Sequence, residues 1–475
     1  MPGGILEMLE SAAAFVAALQ YELLLFALAG LLIGGLEDFI FDIAFLGRAL
    51  WRRTFIYSRH ARMTAASLPA SARPGPIAIF VPAWNEADVI GAMLRTCLSR
   101  WGEADYAIFV GTYPNDPATV GTVAAVAQED ARVRLVILPH DGRTTKADCL
   151  NHIWAAMRAD EVARGRSYKA VVLHDAEDVV HADEIRLFDT MIDRFDMVQL
   201  PVMPLLSRRS RWIAGHYADE FAEAHGKHLV LREAIGAAVP SAGVGCAFAR
   251  VVIGAIADER GDRPFDAGSL TEDYEIGLRI AERKGRTAFV TMKDGLGDLI
   301  CTQEHFPETI EAAVKQKARW LTGISLAGWD RLGWRGHWRE RWMRLHDRRT
   351  SLSALVLFAA YCATIGYGLS LLLTLAGVAM PPRHEGWLGV ALKITAALML
   401  WRLAFRAYWT GRAYGWREGL CAVPRVIVCN VIAMLAARRA MADYVRQLRG
   451  GAVIWHKTHH RFPLEGDLDA HGTRA

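Results

Sequence analysis

Apolar and polar positions follow one another along this 475-residue chain in three different rhythms. Residues 11–36, SAAAFVAALQYELLLFALAGLLIGGL, are apolar almost throughout, and about 20 helical residues suffice to cross a bilayer core. A transmembrane helix is predicted there, with Gln20 and Glu22 as its polar interruptions. The next stretch, EDFIFDIAFLGRALWRR, mixes acidic and apolar residues at helical spacing, which predicts a separate helix lying along the membrane interface.

From Arg73 to Trp329 the rhythm shortens. The runs IAIFVP, YAIFVG, VRLVILP and AVVLHD are separated by segments of helical period. Such alternation predicts an α/β domain with a mostly parallel sheet, and ligands of such sheets gather at the carboxyl ends of the strands. Long apolar runs return at 351–377 and 387–409, which predict two further spans. The stretch 419–437 carries Pro424, Arg425 and Asn430, and is expected as an interfacial or re-entrant helix.

Charge then orders these pieces. No Lys or Arg precedes the first span, whereas Arg48, Arg52, Arg53, Arg59 and Arg62 follow it, so the positive-inside rule puts the α/β domain in the cytoplasm. The chain divides into a membrane and interfacial segment at 1–72, a cytoplasmic domain at 73–330, membrane and interfacial helices at 331–450, and a basic cytoplasmic tail at 451–475. With 55 basic against 51 acidic residues the net charge is only +4, and no basic stripe marks a nucleic-acid partner. Seven cysteines without a C-x-x-C pair point to a reducing compartment rather than a disulfide framework.

Residues able to do chemistry stand where strands end and helices begin. VVLHDAEDVVHADE, 171–184, leaves a strand and delivers Asp175, Glu177 and Asp178. Oxygen ligands of this kind suit Mg²⁺ or Mn²⁺ held against a substrate diphosphate, although an acidic turn before a helix would use the same letters. GSLTEDYEIGLRIAERKG, 268–285, brings Glu272 and Asp273 to a helix opening. Ser269 with Glu272 fits a capping box, and a carboxylate there is also placed to act as general base toward a hydroxyl. In EAAVKQKARWLTGI, 311–324, Gln316, Arg319 and Trp320 stand at i, i+3 and i+4 and share a helix face. A guanidinium beside an indole can bind phosphate and stack a sugar, or can anchor an interfacial helix.

The order VPAWNE (81–86), KADCLN (146–151), DAED (175–178), TED (271–273) and QKARW (316–320) resembles the membrane-embedded family 2 inverting glycosyltransferases, the group that contains cellulose and hyaluronan synthases. GTYPNDP, SLTEDYEIGLRI, EHFPETIEAAVKQKARWLTGISLAGWD and WHKTHHRFP look more specifically like its bacterial inner-membrane branch associated with phage adsorption. The resemblance implies a GT-A-like domain that moves a sugar from a UDP-sugar onto a growing glycan for export. The donor would be an N-acetylhexosamine such as UDP-N-acetylmannosamine, and the lipid bilayer, a glycan acceptor and an outer-membrane export component would be partners. Two departures stand out. The usual D-x-D reads D-A-E-D, so Glu177 and Asp178 compete as second metal ligand, and the sequence stops soon after HRFP, where longer relatives continue into a cyclic-di-GMP-sensing domain.

Residue by residue, the resemblance implies a nucleotide pocket from Pro82, Ala83, Glu86, Asp116, Lys146 and Asp148. Asp175 with Glu177 or Asp178 would bind the metal-diphosphate, with Asp273 as base beside Glu272. Gln316, Arg319 and Trp320 would hold the diphosphate and the acceptor sugar, and GVGCAFAR would line the acceptor side through Gly243, Gly245 and Cys246. The tail WHKTHHRF is expected either at anionic lipid or as a lid over the nucleotide, with Lys457 at the diphosphate. The competing function is a catalytically idle membrane scaffold or phage-receptor component that keeps the fold; intact Asp175 and Asp273 weigh against it.

Overall fold

The computed structural model describes residues 2–142, 144–378, 385–450 and 462–463. Helix α1 (Pro2–Trp51) runs unbroken for 50 residues, so the predicted span and the predicted interfacial helix are one element. The physical reason lies in the acidic residues taken for a membrane-surface face, because they turn inward to cations. Glu37 pairs with Arg349 and with His346 at 3.2 Å, and Asp38 with Arg349 at 2.6 Å and Arg402 at 3.3 Å. Asp42 is fully buried against Lys227. Desolvation offsets much of the attraction in such pairs, and their consequence here is a fixed register of α1 on its neighbours.

In the α/β domain the elements run β1 (Ile77–Pro82), α2 (Ala87–Trp101), β2 (Tyr106–Thr112), α3 (Pro117–Glu129), β3 (Val133–Ile137), α4 (Lys146–Arg164), β4 (Ala170–Leu173) and α5 (Glu184–Met191). They continue with β5 (Met197–Gln199), β6 (Val202–Pro204), α6 (Ile213–Glu223), α7 (Leu229–Ala234), β7 (Cys246–Ala249), α8 (Arg250–Asp258), α9 (Glu272–Glu282), β8 (Thr287–Phe289), β9 (Thr302–Glu304) and α10 (Ile310–Trp320). The main sheet has the order β3-β2-β1-β4-β7-β5-β8, and β6 pairs with β9 in a second, two-stranded sheet. All pairs are parallel except those of β7 with β4 and β5.

Helices cover both faces of the central strands, which is why β1, β2 and β4 are apolar continuously rather than alternately. Ile77, Ile79 and Val81 pack with Met93 and Leu94 of α2 on one face. Ala78 and Phe80 pack with Leu150, Ile153 and Trp154 of α4 on the other. Thr145 caps α4 by accepting from the Asp148 backbone N–H at 3.2 Å, and Gly165, at φ 62°, ends it. The carboxyl ends of β1 and β4 are thereby held side by side, above a buried core.

Beyond this domain come α11 (Ala327–Leu332), α12 (Trp338–Arg348), α13 (Thr350–Leu375), α14 (Trp387–Tyr414) and α15 (Trp416–Leu448). Helix α12 docks on the α/β domain through Arg344–Glu282 at 2.9 Å and Arg232–Asp347 at 2.8 Å. Helices α1, α13, α14 and α15 are each long and apolar enough to cross a membrane. The stretch 419–437 thus lies inside one continuous 33-residue helix that passes through Pro424. Arg425 lies 3.4 Å from Asp219, Cys429 donates to Glu220 at 2.9 Å, and the Tyr444 hydroxyl donates to Asp330 at 2.6 Å. These bonds lay α15 against α6 and α11 from Arg425 to Tyr444. Of the tail, Lys457 lies outside the described residues, whereas Phe462 packs on the core cluster that contains α2 and α5, and Pro463 is buried.

Candidate active site

A cavity of about 110 Å³ opens at the carboxyl ends of β1 and β4. Strand β1 ends at Pro82, and the chain turns through Asn85, whose φ of 54° is left-handed, a conformation asparagine tolerates. Asp116 fixes this turn: its carboxylate accepts from the Asn85 N–H at 2.6 Å and caps α3 through the Thr119 N–H at 3.3 Å. Pro82, Trp84 and Glu86 face the cavity, while Ala83 is buried in the core and Asp116 is not among the cavity walls.

Lys146, the first residue of α4, places Nζ 2.5 Å from Asp175 Oδ1. Burial alone would lower its pKa, but the carboxylates of Asp175, Asp273 and Glu272 reverse this and hold it protonated. Asp175 and Glu177 line the cavity, whereas Asp178 is committed elsewhere. Its Oδ2 meets His174 Nδ1 at 2.7 Å and the Asp175 N–H at 3.1 Å. His174 Nε2 reaches Glu184 at 2.7 Å, so a fully buried imidazole links two buried carboxylates. Burial pushes Asp178 up to about 7 against the pull of His174. His174 itself, despite burial, is raised to about 10 by Glu184 and Asp178.

Asp273 and Glu272 open α9, and both line the cavity. The capping box expected of Ser269 and Glu272 is not formed, because the Ser269 hydroxyl accepts from the Thr271 N–H at 3.2 Å and the Ser269 N–H donates to the Asp266 carbonyl at 2.9 Å. Glu272 is thereby left facing the site. Asp273 Oδ1 accepts from the Tyr274 N–H at 2.7 Å. Its other oxygen rests against Gly243, at φ 80°, where a Cβ would overlap it. Burial raises the pKa of Asp273, with Lys146 opposing, and burial with Asp273 pushes Glu272 up to about 7.

Gln199, at the end of β5, holds the loop that contains Gly243. Its amide donates to the Val244 carbonyl at 2.9 Å and accepts from the Ala242 N–H at 2.8 Å. Gly245, at φ 55°, lies against Thr302. Cys246 is fully buried beneath the loop and accepts from the Ser241 hydroxyl at 3.1 Å, so it supports the wall without forming it.

Gln316, Arg319 and Trp320 of α10 all reach the cavity, as their shared helix face predicts. Lys317, on another face, anchors α10 to Glu220 of α6 at 2.6 Å. Among the described residues, Arg319 Nε and Gln316 Oε1 are buried without a hydrogen-bond partner, the signature of a surface built to receive a polar group. Past Trp320 the helix widens into a π turn, Leu321–Leu326, where Gly323 admits Thr271.

Glu304, at the end of β9, also lines the cavity. Burial and the charges of Asp178, Glu177 and Asp175 push its pKa well above the carboxylate range. It opens the stretch EHFPETIEAAVKQKARWLTGISLAGWD, but its local spacing does not single it out as a site residue, since a single Glu ending a three-residue strand looks like any strand terminus; the pairing of β9 with β6 brings it here. Six carboxylates, from Glu86, Asp175, Glu177, Glu272, Asp273 and Glu304, and two cations, Lys146 and Arg319, are among the walls. Such an excess of oxygen donors fits a hard divalent cation, with Asp175, Glu177 and Glu304 as the residues able to hold it. Asp148 is not a cavity wall and stands beside His140 and His152.

Residues 74–323 match the family described as Glycosyltransferase like family 2. The chain is 35% identical over 461 residues to Bacteriophage adsorption protein B of Escherichia coli (strain K12), covering 92% of this chain. It is equally similar to Bacteriophage N4 adsorption protein B of Escherichia coli O157:H7, and spans 61% of the length of each relative. In fold it is similar to the mannosyltransferase PcManGT from Pyrobaculum calidifontis, solved with GDP-Man and Mn²⁺, with a TM-score of 0.53 and 14% identity over 90% of this chain and 99% of that one. The site and the sheet that carries it thus lie within a family match covering more than half of the sequence, and this chain belongs to glycosyltransferase family 2.

Proposed function

We propose that this chain is a membrane-bound, inverting, metal-dependent transferase of the bacterial inner membrane, with its catalytic domain in the cytoplasm. It moves a sugar from a UDP-sugar, an N-acetylhexosamine such as UDP-N-acetylmannosamine, onto a growing glycan destined for an outer-membrane exporter. The observation that carries the reading is the sharing of one cavity by the Lys146–Asp175 pair, the Arg319 guanidinium and the Asp273 carboxylate. Asp273, its pKa raised by burial, takes the proton of an acceptor hydroxyl as that oxygen attacks the anomeric carbon. The bond from that carbon to the diphosphate breaks, and Lys146 and Arg319 meet the charge left on the departing UDP. A divalent cation at Asp175, Glu177 and Glu304 would supply Lewis-acid stabilisation of the same diphosphate. Trp320 offers a flat apolar platform for the acceptor sugar.

The test is UDP release by the purified full chain in detergent, with a panel of UDP-sugars and with Asp273→Asn as control. Release dependent on Mg²⁺ or Mn²⁺ and on Asp273 is expected with an N-acetylhexosamine donor. Absence of release with every donor, in protein that still binds UDP, would replace this reading with that of an idle scaffold.

A further inference from the structure

His140, Asp148 and His152 form a cluster that the catalytic cavity does not use. His140 lies on the loop between β3 and α4, and Asp148 and His152 are one turn apart on α4. One potential ligand atom from each lies within 4.8 Å of the others. The two imidazole rings stand edge to face with centroids 5.1 Å apart.

Each ring has one nitrogen near a backbone carbonyl. His152 Nδ1 lies 3.0 Å from the Asp148 backbone carbonyl, and His140 Nδ1 lies 3.4 Å from that of Asp141. A ligating histidine commonly donates one ring N–H to a backbone carbonyl or carboxylate, which leaves the other nitrogen bare for the ion. On His140 that nitrogen is Nε2, while the His152 nitrogen beside the Asp148 carboxylate is Nδ1, 3.8 Å from Oδ1. His140 Nε2 stands 3.3 Å from Asp148 Oδ2. Two donors each about 2.0 Å from a tetrahedral zinc are about 3.3 Å apart. Asp148 Oδ2 is also shielded from solvent and, among the described residues, accepts no well-aligned hydrogen bond. A buried carboxylate oxygen in that condition is costly unless something positive meets it.

We propose that His140, Asp148 and His152 bind a zinc-class transition-metal ion, separate from the hard-cation site at Asp175. Two imidazoles and one carboxylate are the donor set of zinc rather than of Mg²⁺, and three protein ligands leave one coordination position open. The ion ties the loop after β3 to the first turns of α4. Lys146 opens that same helix, so the ion steadies the backbone that presents it to Asp175. The assignment does not depend on which sugar is transferred, or on whether any is.

The experiment uses the full chain without a histidine tag, exposed to ZnCl2, desalted, and measured by elemental analysis beside four variants. Native protein and Asp175→Asn should retain one zinc more per chain than His140→Ala, His152→Ala and Asp148→Asn. Cobalt in place of zinc should give visible tetrahedral d–d bands in the native protein and lose them in Asp148→Asn, a near-isosteric change that keeps the fold. Equal zinc in native protein and in all four variants would assign the metal to adventitious binding and overturn the proposal. Loss of zinc in Asp175→Asn alone would move the ion to the carboxylate site and overturn it as well.

Discussion

Gly243 and Asp273 are in contact through the one position where a side chain would sit: a Cβ on Gly243 would overlap Asp273 Oδ2. The loop held by Gln199 therefore sets how far the carboxylate can extend toward the cavity. Gly243→Ala also forces a side chain onto a backbone at φ 80°, which alanine disfavours. We expect the variant to fold and bind UDP, and to transfer sugar below about 1% of the parental rate, because a small displacement of a base is enough for such a loss. Rate measured beside UDP affinity by calorimetry checks this, and equal losses in both would point to general damage.

Asp273→Asn keeps the shape and removes the basic oxygen. Transfer should fall by about 100-fold or more with UDP affinity nearly unchanged. The pH profile follows from the raised pKa of Asp273 and of Glu272, which is pushed up to about 7. Both groups hold their protons above the ordinary carboxylate range, so the base is ionised only as pH rises. The acid limb of turnover should accordingly lie above the usual carboxylate range, and Glu272→Gln should leave it in place, because burial and the like charge of Asp175 raise Asp273, and Glu272 is still protonated when Asp273 ionises. A limb that moves to lower pH in that variant would make Glu272 part of the titration.

The two candidate partners of Asp175 should behave differently. Glu177 lines the cavity, and Asp178 is bonded to His174. Glu177→Gln should weaken UDP binding in Mn²⁺ about tenfold and leave metal-free binding unchanged. Asp178→Asn should instead lower thermal stability and change the metal response little. Titration of UDP binding with Mn²⁺ in each variant decides, and full turnover in excess chelator would remove the metal altogether.

His174 between Asp178 and Glu184 gives a stability prediction. His174→Ala leaves two buried carboxylates without their cation, which costs about 3–5 kcal/mol. The sign with pH follows from the two shifts. In the fold His174 keeps its proton to about 10, against 6.5 when free, and Asp178 to about 7, against 3.8. The native state thus binds protons that the unfolded chain has released, and stability contributed by His174 is complete below 6.5 and is lost as pH rises through about 10. Denaturation in detergent between pH 6 and 10 should show this slope in the parent, and a His174→Ala, Asp178→Asn double variant, which removes both shifted groups, should lack it.

How much was legible in the letters depends on the range of the forces involved. Strands β1 to β4 and the face shared by Gln316, Arg319 and Trp320 follow from periodicity, since a buried strand needs apolar side chains and a helix repeats every few residues whatever surrounds it. The cavity-lining carboxylates Asp175, Glu177, Glu272 and Asp273 were also readable, because their motifs sit at element ends where backbone geometry alone aims them. Glu304 and Gln199 were not, for each reaches the site only through the pairing of strands far apart in sequence. The choice between Glu177 and Asp178 as cavity wall was settled by His174 and Glu184, a buried network invisible in D-A-E-D. The continuity of α1 past residue 36 likewise came from Arg349, Arg402 and Lys227, whose charges lie far away in the sequence. Local spacing determines which elements form and where they present chemistry; desolvation and long-range pairing decide which of those groups meet, because a buried charge takes its partner from wherever the fold supplies one.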